Sequence, residues 1–307
     1  MLDSLLSRGF LPDFLIRRGI RALNRRRLKE IGDGNVEWAQ AKTMQLVESL
    51  RQSPIAVLTD KANEQHYEIP AAFYALVLGK HRKYSSCYYP TGREDLSTAE
   101  RLMLDETVSM ARLADGQRIL ELGCGWGSLS LYMAERFPRA QITAVSNSAS
   151  QKEYIDAEAA KRKIRNLRII TADVNRFKPK EKFDRVVSVE MFEHMRNYDE
   201  LFARIRGWLK PSGKLFVHIF THRMFPYLFE DKAADDWMSR YFFSGGIMPS
   251  NHLFAYFSQG FRLAEQRVFS GTHYHLTAEH WLKNMDAHLP EIRAIFQGCL
   301  LYTSRCV

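Results

Sequence analysis

Residues 118–128 read Arg118-Ile-Leu-Glu121-Leu-Gly123-Cys-Gly125-Trp-Gly127-Ser128. A short apolar run enters three glycines at alternate positions, and a helical pattern over 128–137 follows. The local reading is strand, sharp turn, helix. Glycine accepts positive φ without strain and lets the backbone come close to a ligand. The same alternation continues outward. Apolar runs at 142–145, 167–171, 185–189 and 214–220 are separated by helical segments that include 150–163 and 198–209. Strands alternating with helices predict an α/β fold with a doubly wound, mostly parallel sheet. Ligands of such sheets lie beyond the carboxyl ends of the strands. Pro211-Ser-Gly213 reads as a turn leading into the fifth strand.

The glycine pattern is not the G-x-G-x-x-G of dinucleotide folds, whose third glycine falls one residue later. E-x-G-x-G-x-G with its internal acid resembles the loop of Rossmann-like, class I S-adenosylmethionine (SAM) methyltransferases. SAM carries an ammonium and a sulfonium and no phosphate, so an acid beside the loop suits it. The resemblance makes Glu121, Gly123, Gly125 and Gly127 candidate cofactor residues. The second strand ends Val145-Ser146-Asn147, where many such folds carry an acid for the ribose. Here Ser146 or Asn147 would serve, through neutral hydrogen bonds. The third strand ends Ala172-Asp173-Val174, and Asp173 would accept from the adenine amino group or cap a turn.

The fourth strand ends in Val189-Glu190-Met-Phe192-Glu193-His194-Met-Arg-Asn197-Tyr198. Two carboxylates and an imidazole gather among apolar residues at a strand end. A partly dry site raises carboxyl pKa values toward neutrality, which suits proton transfer. His218 follows on the fifth strand and is either a site residue or a core histidine. An insert over 221–251 carries many aromatic residues, Phe225, Tyr227, Phe229, Trp237, Tyr241, Phe242 and Phe243 among them. It reads as a lid and pocket wall, with Gly245-Gly246 as its hinge, or as ordinary core.

Five stretches together resemble the cyclopropane fatty acid synthase superfamily: residues 84–100 (YSSCYYPTGREDLSTAE), 121–138, 189–198 (VEMFEHMRNY), 235–250 (DDWMSRYFFSGGIMPS) and 272–286 (THYHLTAEHWLKNMD). VEMFEHMRNY and YFFSGGIMPS place the chain nearest the coclaurine N-methyltransferase branch. The resemblance covers about residues 60–290. It implies SAM-dependent one-carbon transfer, with S-adenosylhomocysteine (SAH) as product. In the N-methyltransferase branch the acids and histidine of E-x-x-E-H act at the amine, here Glu190, Glu193 and His194. In the cyclopropane branch a bicarbonate base is held by residues that fall on Cys87, Glu193, His218 and Tyr274. Ser86, Asn147 and Gln151 align with SAM-contacting positions. The acceptor implied is a small amine, with unsaturated phospholipid acyl chains as the alternative. For an acyl chain, Phe192, Phe220, Tyr241, Phe242 and Phe243 are candidate neighbours of a carbocation.

The 307 residues suggest two domains or one with an appendage, and the composition is that of an ordinary globular protein. The organisation expected is an N-terminal helical region over 1–100 and a SAM-binding domain over 101–298. The net charge is +9, and residues 1–30 hold eight cations against three anions. Apolar residues recur there at near-helical spacing. Such a helix suits an anionic membrane surface, an acidic substrate, or docking on its own protein with the basic face in water. No aromatic-interleaved basic motif points to nucleic acid. The four cysteines form no zinc spacing and no C-x-x-C pair, so no metal site is expected and a reducing, cytoplasmic setting fits. The N-terminus lacks the layout of a signal peptide. Residues 299–307 (CLLYTSRCV) break the pattern and read as a non-native tail translated from a library adapter, so no function is expected of Cys299 or Cys306.

Overall fold

A computed structural model describes residues 12–31, 35–57, 69–229, 239, 243–257 and 259–296. Trp237, Tyr241, Phe242, the first eleven residues and the 299–307 tail lie outside the described residues. The main sheet holds β1 (Arg118–Leu122), β2 (Gln141–Ser146), β3 (Leu167–Thr171), β4 (Phe183–Val189) and β5 (Leu209–His218), all parallel, in the order β3-β2-β1-β4-β5. The helices are α1 (Asp13–Ile31), α2 (Val36–Arg51), α3 (Ala71–Val77), α4 (Leu96–Met110), α5 (Ser128–Arg136), α6 (Ala149–Lys161), α7 (Tyr198–Trp208), α8 (Gly271–Ala287) and α9 (Leu289–Ile295). A two-stranded antiparallel ribbon, β6 (Tyr227–Leu228) with β7 (Ile247–Met248), lies in the insert.

Both sheet faces are covered, which is why the strands read as near-continuous apolar runs. On one face Ile119, Ile142 and Val187 pack with Leu104 and Val108 of α4 and Leu129 and Met133 of α5. On the other, Leu120, Leu122 and Val186 meet Val47 and Leu50 of α2 and Leu201, Phe202 and Ile205 of α7. The N-terminal helix α2 thus shares the sheet's own core, and α4 runs across residue 100. Each fully buried side chain of this size contributes about 1.5–3 kcal/mol. The helices start where the sequence caps them. Asp95, Ser148 and Asn197 accept from the backbone N–H of Thr98, Gln151 and Glu200.

One expectation is corrected. Pro211-Ser-Gly213 does not precede the fifth strand but lies inside it. β5 begins at Leu209, opposite Phe183, and resumes register at Lys214 opposite Arg185, so residues 210–213 bulge out opposite Asp184 alone. Proline is tolerated there because a bulge needs no ladder N–H. β5 ends at His218 rather than Phe220, which leaves His218 at the last register position, opposite Val189.

Candidate active site

The chain order reverses beside β1, with β2 on one side and β4 on the other. Loops leaving β1 and β4 therefore diverge and open a crevice at the strand ends. The glycine loop fills the β1 side. Gly123 and Cys124 donate to the Val145 carbonyl at 2.9 and 3.1 Å, which ties the turn to the end of β2. Gly123 and Gly127 have φ of +77° and +78°, and a Cβ would meet Met191 Cγ at 2.6 Å or Ile155 Cγ1 at 2.7 Å. Gly125 has φ +51°, and a Cβ there would meet no atom within 4 Å. Two glycines thus serve packing, while the middle one fronts open space.

Glu121 lies beneath the loop, 2% exposed, and accepts a 2.5 Å bond from the Ser130 hydroxyl of α5. Burial pushes its carboxyl up to about 7. It braces the loop onto the first turns of α5. At β2, Ser146 donates to Gln151 Oε1 at 2.6 Å and accepts from the Ser148 N–H. Ser146 is buried and engaged, so Asn147, half-buried beyond the strand end, is the more open of the two ribose candidates. Gln151 is itself buried, held by Ser146. At β3, Asp173 Oδ1 accepts from the backbone and side-chain nitrogens of Asn175 at 2.8 and 3.0 Å. The turn-cap role is therefore real for one oxygen of Asp173, and Val174 sits within that turn. The residues fit SAM: an open front on the glycine loop, an amide at Asn147 and a carboxylate at Asp173 stand at three adjacent strand ends.

The β4 side carries the acids. Glu190 has φ +47°, a left-handed conformation unusual for a residue that carries a Cβ and worth about 1–2 kcal/mol of strain. Its N–H is pinned to the His218 carbonyl at 2.7 Å. Such strain at a strand end is commonly held for function. The Glu190 carboxylate accepts from the Ser86 N–H at 2.8 Å and from the Tyr274 hydroxyl of α8 at 3.2 Å. Glu193, in the 3-10 turn Phe192–His194, is fully buried. One oxygen accepts from the Phe220 N–H at 2.9 Å, and the other has no hydrogen-bond partner. Burial raises both carboxyl pKa values. Glu193 is pushed furthest, because the Glu190 charge adds to burial. Glu190, with two donors, is the member of the pair better able to carry the charge, and Glu193 the one that burial and its neighbour favour as the acid. His194 packs its ring on Phe243, 4.4 Å between centroids. Phe220 lies edge-on to Phe243 and near Tyr274, so an aromatic wall stands beside the acids. A cavity of about 1260 Å³ reaches Ser86, Glu190, His218, Phe220 and Tyr274 and continues along the outer edge of β5.

Other expectations change. Phe192 is core, fully buried and stacked on Tyr198, and not a wall residue. Gly245-Gly246 is not a free hinge. The Arg196 guanidinium donates to the Gly245 carbonyl at 2.6 Å, and Gly246 packs against the Phe243 ring. Of the residues expected to hold bicarbonate, Cys87 and Tyr274 have partners within the protein. The Cys87 N–H donates to Thr277 Oγ1 at 3.0 Å, its buried thiol is pushed up to about 12, and Tyr274 bonds Glu190. His218 is lowered to about 3 by burial and is neutral.

Lys83 escaped the sequence reading. In Gly79-Lys-His-Arg-Lys83 it looks like one of several solvated cations, yet it is 2% exposed. Trp126, between two glycines of the loop, carries no local signal of its role. It is buried between Tyr74 and Tyr154 and anchors the glycine loop to α3 and α6.

Comparisons with known proteins agree with this geometry. The family model described as mycolic acid cyclopropane synthetase matches residues 58–303. An (S)-coclaurine N-methyltransferase of Thalictrum flavum subsp. glaucum is 37% identical over 293 residues, covering 95% of this chain and 81% of that protein. The cyclopropane-fatty-acyl-phospholipid synthase of Escherichia coli (strain K12) is 30% identical over 231 residues, 75% of this chain and 57% of that one. The crystal structure of a coclaurine N-methyltransferase bound to N-methylheliamine and SAH superposes with a TM-score of 0.93 at 36% identity, covering 99% of this chain and 89% of that one. Mycolic acid cyclopropane synthase CmaA1, complexed with SAH and CTAB, shares the fold at TM-score 0.68 and 22% identity, over 81% of this chain and 92% of that one. With an open glycine loop at the head of a parallel sheet and a carboxyl pair at the next strand end, the chain belongs to the mycolic acid cyclopropane synthetase family and is a SAM-dependent methyltransferase.

Proposed function

We propose that the protein methylates the nitrogen of a small amine, and that Glu190, Glu193 and His194 act at that nitrogen. The observation that carries this reading is the carboxyl pair: Glu190 under two donors, Glu193 buried with one oxygen unpartnered, one strand end from the glycine loop. When bound, SAM supplies an electrophilic methyl on a sulfonium. A protonated amine has no lone pair to offer, so the site must take a proton and orient the neutral nitrogen. Glu190 is the group suited to accept an N–H proton. Protonated Glu193 has a hydroxyl to donate, and its unpartnered oxygen awaits a polar group. Phe220, Phe243 and Tyr274 present aromatic faces that attract the cation before and after transfer. We assign Asn147, Gly125 and Asp173 to the cofactor, with Glu121 and Gln151 bracing the loops that carry them.

The test is mass spectrometry of products after incubation with SAM and a panel of secondary amines. A gain of one methyl on an amine supports the reading. A gain of one methylene in the acyl chains of unsaturated phospholipid liposomes would replace it. One observation favours that second reading: α1 buries no residue and exposes Phe14, Leu15, Ile20, Leu23 and Leu28 beside its arginines. We propose peripheral contact with anionic membrane at this helix. Among the described residues no helix is long and apolar enough to cross a membrane.

A further inference from the structure

Lys83 sits on the loop between α3 and α4. Its ammonium donates to the Ser86 carbonyl at 2.7 Å and to the Ser85 hydroxyl. Its backbone N–H donates to Glu100 Oε1 at 3.1 Å. The same fully buried carboxylate accepts from Gly79 at 3.0 Å and from His81 at 2.7 Å. Glu100 thus ties down the start of the loop, and the lysine side chain ties down its end. From that end the Ser86 N–H reaches Glu190. Burying an ammonium costs several kcal/mol unless charge and hydrogen bonds compensate it. A hydroxyl and a carbonyl compensate only in part. Holding the turn needs donors, not a charge, and a neutral side chain of similar length would meet that need at lower desolvation cost. The charge has two buried carboxyl neighbours to serve, Glu100 behind the loop and, beyond Ser86, Glu190.

We propose that Lys83 is a positioning residue of the methyl-transfer site: its buried charge keeps Glu190, rather than Glu193, the ionised member of the pair while its hydrogen bonds hold the Ser85–Ser86 turn against Glu190. The kinetic consequence rests on the N-methylation reading above; the electrostatic one does not. Among the described residues, the groups around Glu190 are few. The loop brings Lys83 and the Ser86 N–H, α8 brings the Tyr274 hydroxyl, and the strand ends bring Glu193 and His218. Behind the loop stand Glu100 and the Cys87 thiol. Burial keeps His218 neutral and Cys87 and Tyr274 protonated, and burial beside Glu190 pushes the Glu193 carboxyl well up. Lys83 is the cation among them, and it is the largest influence opposing burial at Glu190.

The experiment titrates the Glu190 carboxyl directly, by carbon-13 NMR of protein labelled at glutamate Cδ. The signal is assigned with Glu190→Gln, and folding of each variant is checked by thermal melting. Lys83→Gln and Lys83→Met remove the charge, and the first retains donors. In both, the Glu190 midpoint should rise by about one pH unit, and the acid limb of the methylation rate should rise with it, a loss of about tenfold at a pH below the limb. Lys83→Arg should restore the wild-type midpoint. An unmoved midpoint in either folded neutral variant overturns the proposal and leaves Lys83 a structural clamp; if one neutral variant does not fold, the other decides. A midpoint that moves in a protein that methylates no amine would uphold the role of Lys83 and sink the N-methylation reading instead.

Discussion

At the scale of single residues, the site works by contrast between neighbours of the same type. Glu190 and Glu193 are three positions apart, yet their donors differ: two for one, a single N–H for the other. Glu193→Gln keeps the shape and the Phe220 bond but removes the titrating proton. It should lower kcat by about 100-fold or more, while SAM affinity measured by calorimetry stays near wild type. A full-rate Glu193→Gln enzyme would remove Glu193 from the reaction. Glu121 offers a stability test. Its folded pKa of about 7 lies above the usual carboxylate value, because burial disfavours the charge. The folded state therefore holds a proton that the unfolded chain has released. The stability this confers is full below about pH 4.5, declines as pH rises, and is lost by about pH 7, a swing on the order of 3 kcal/mol. Melting curves across that range should slope downward with pH in the wild type and run flatter in Glu121→Gln.

At the scale of elements, the glycine loop and the caps can be tested separately. Gly125→Val places a β-branched side chain in open space at φ +51°. It should reduce SAM affinity by about tenfold or more and cost about 1–2 kcal/mol in backbone strain. Unchanged affinity would move the cofactor away from this loop. Asn197→Ala removes the acceptor for the Glu200 N–H at the start of α7 and should lower stability by about 1 kcal/mol in urea titration. These elements were legible in sequence because their signals are local. The run 118–122 and the segment 167–171 coincide with β1 and β3, because short apolar runs bounded by helical segments mark strands by local signal alone. The bulge in β5 was not legible, because Pro-Ser-Gly spells a turn wherever it stands. Only pairing with β4 on both sides of it shows that the strand continues.

At the scale of the whole molecule, α1 stands apart. It buries no residue, and its described ties to the rest are the bidentate Arg17–Glu279 pair and the Arg27 guanidinium over the Tyr227 ring. Exposed ion pairs of this kind contribute about 0–1 kcal/mol. Deleting residues 1–31 should therefore leave the melting temperature nearly unchanged. The full chain should bind liposomes of anionic lipid and release them as salt is raised, since exposed charges are screened within about 10 Å at 0.1 M salt. The truncated chain should not bind. Binding that survives the truncation would place the contact elsewhere.

By itself the sequence determined the α/β alternation, the glycine loop, the two acids at the end of the fourth strand and the family. Each is carried by near neighbours in the chain, whose spacing translates directly into a strand, a turn or a helix face. Tertiary structure alone decided which polar groups are dry and whom they face. Ser86 and Tyr274 lie 104 and 84 positions from Glu190, yet they are its donors. Lys83 becomes a buried charge only because Glu100 and the turn after it close around it. Spacing along the chain encodes local geometry. Ionisation depends on distance and dielectric, and both are set by the fold.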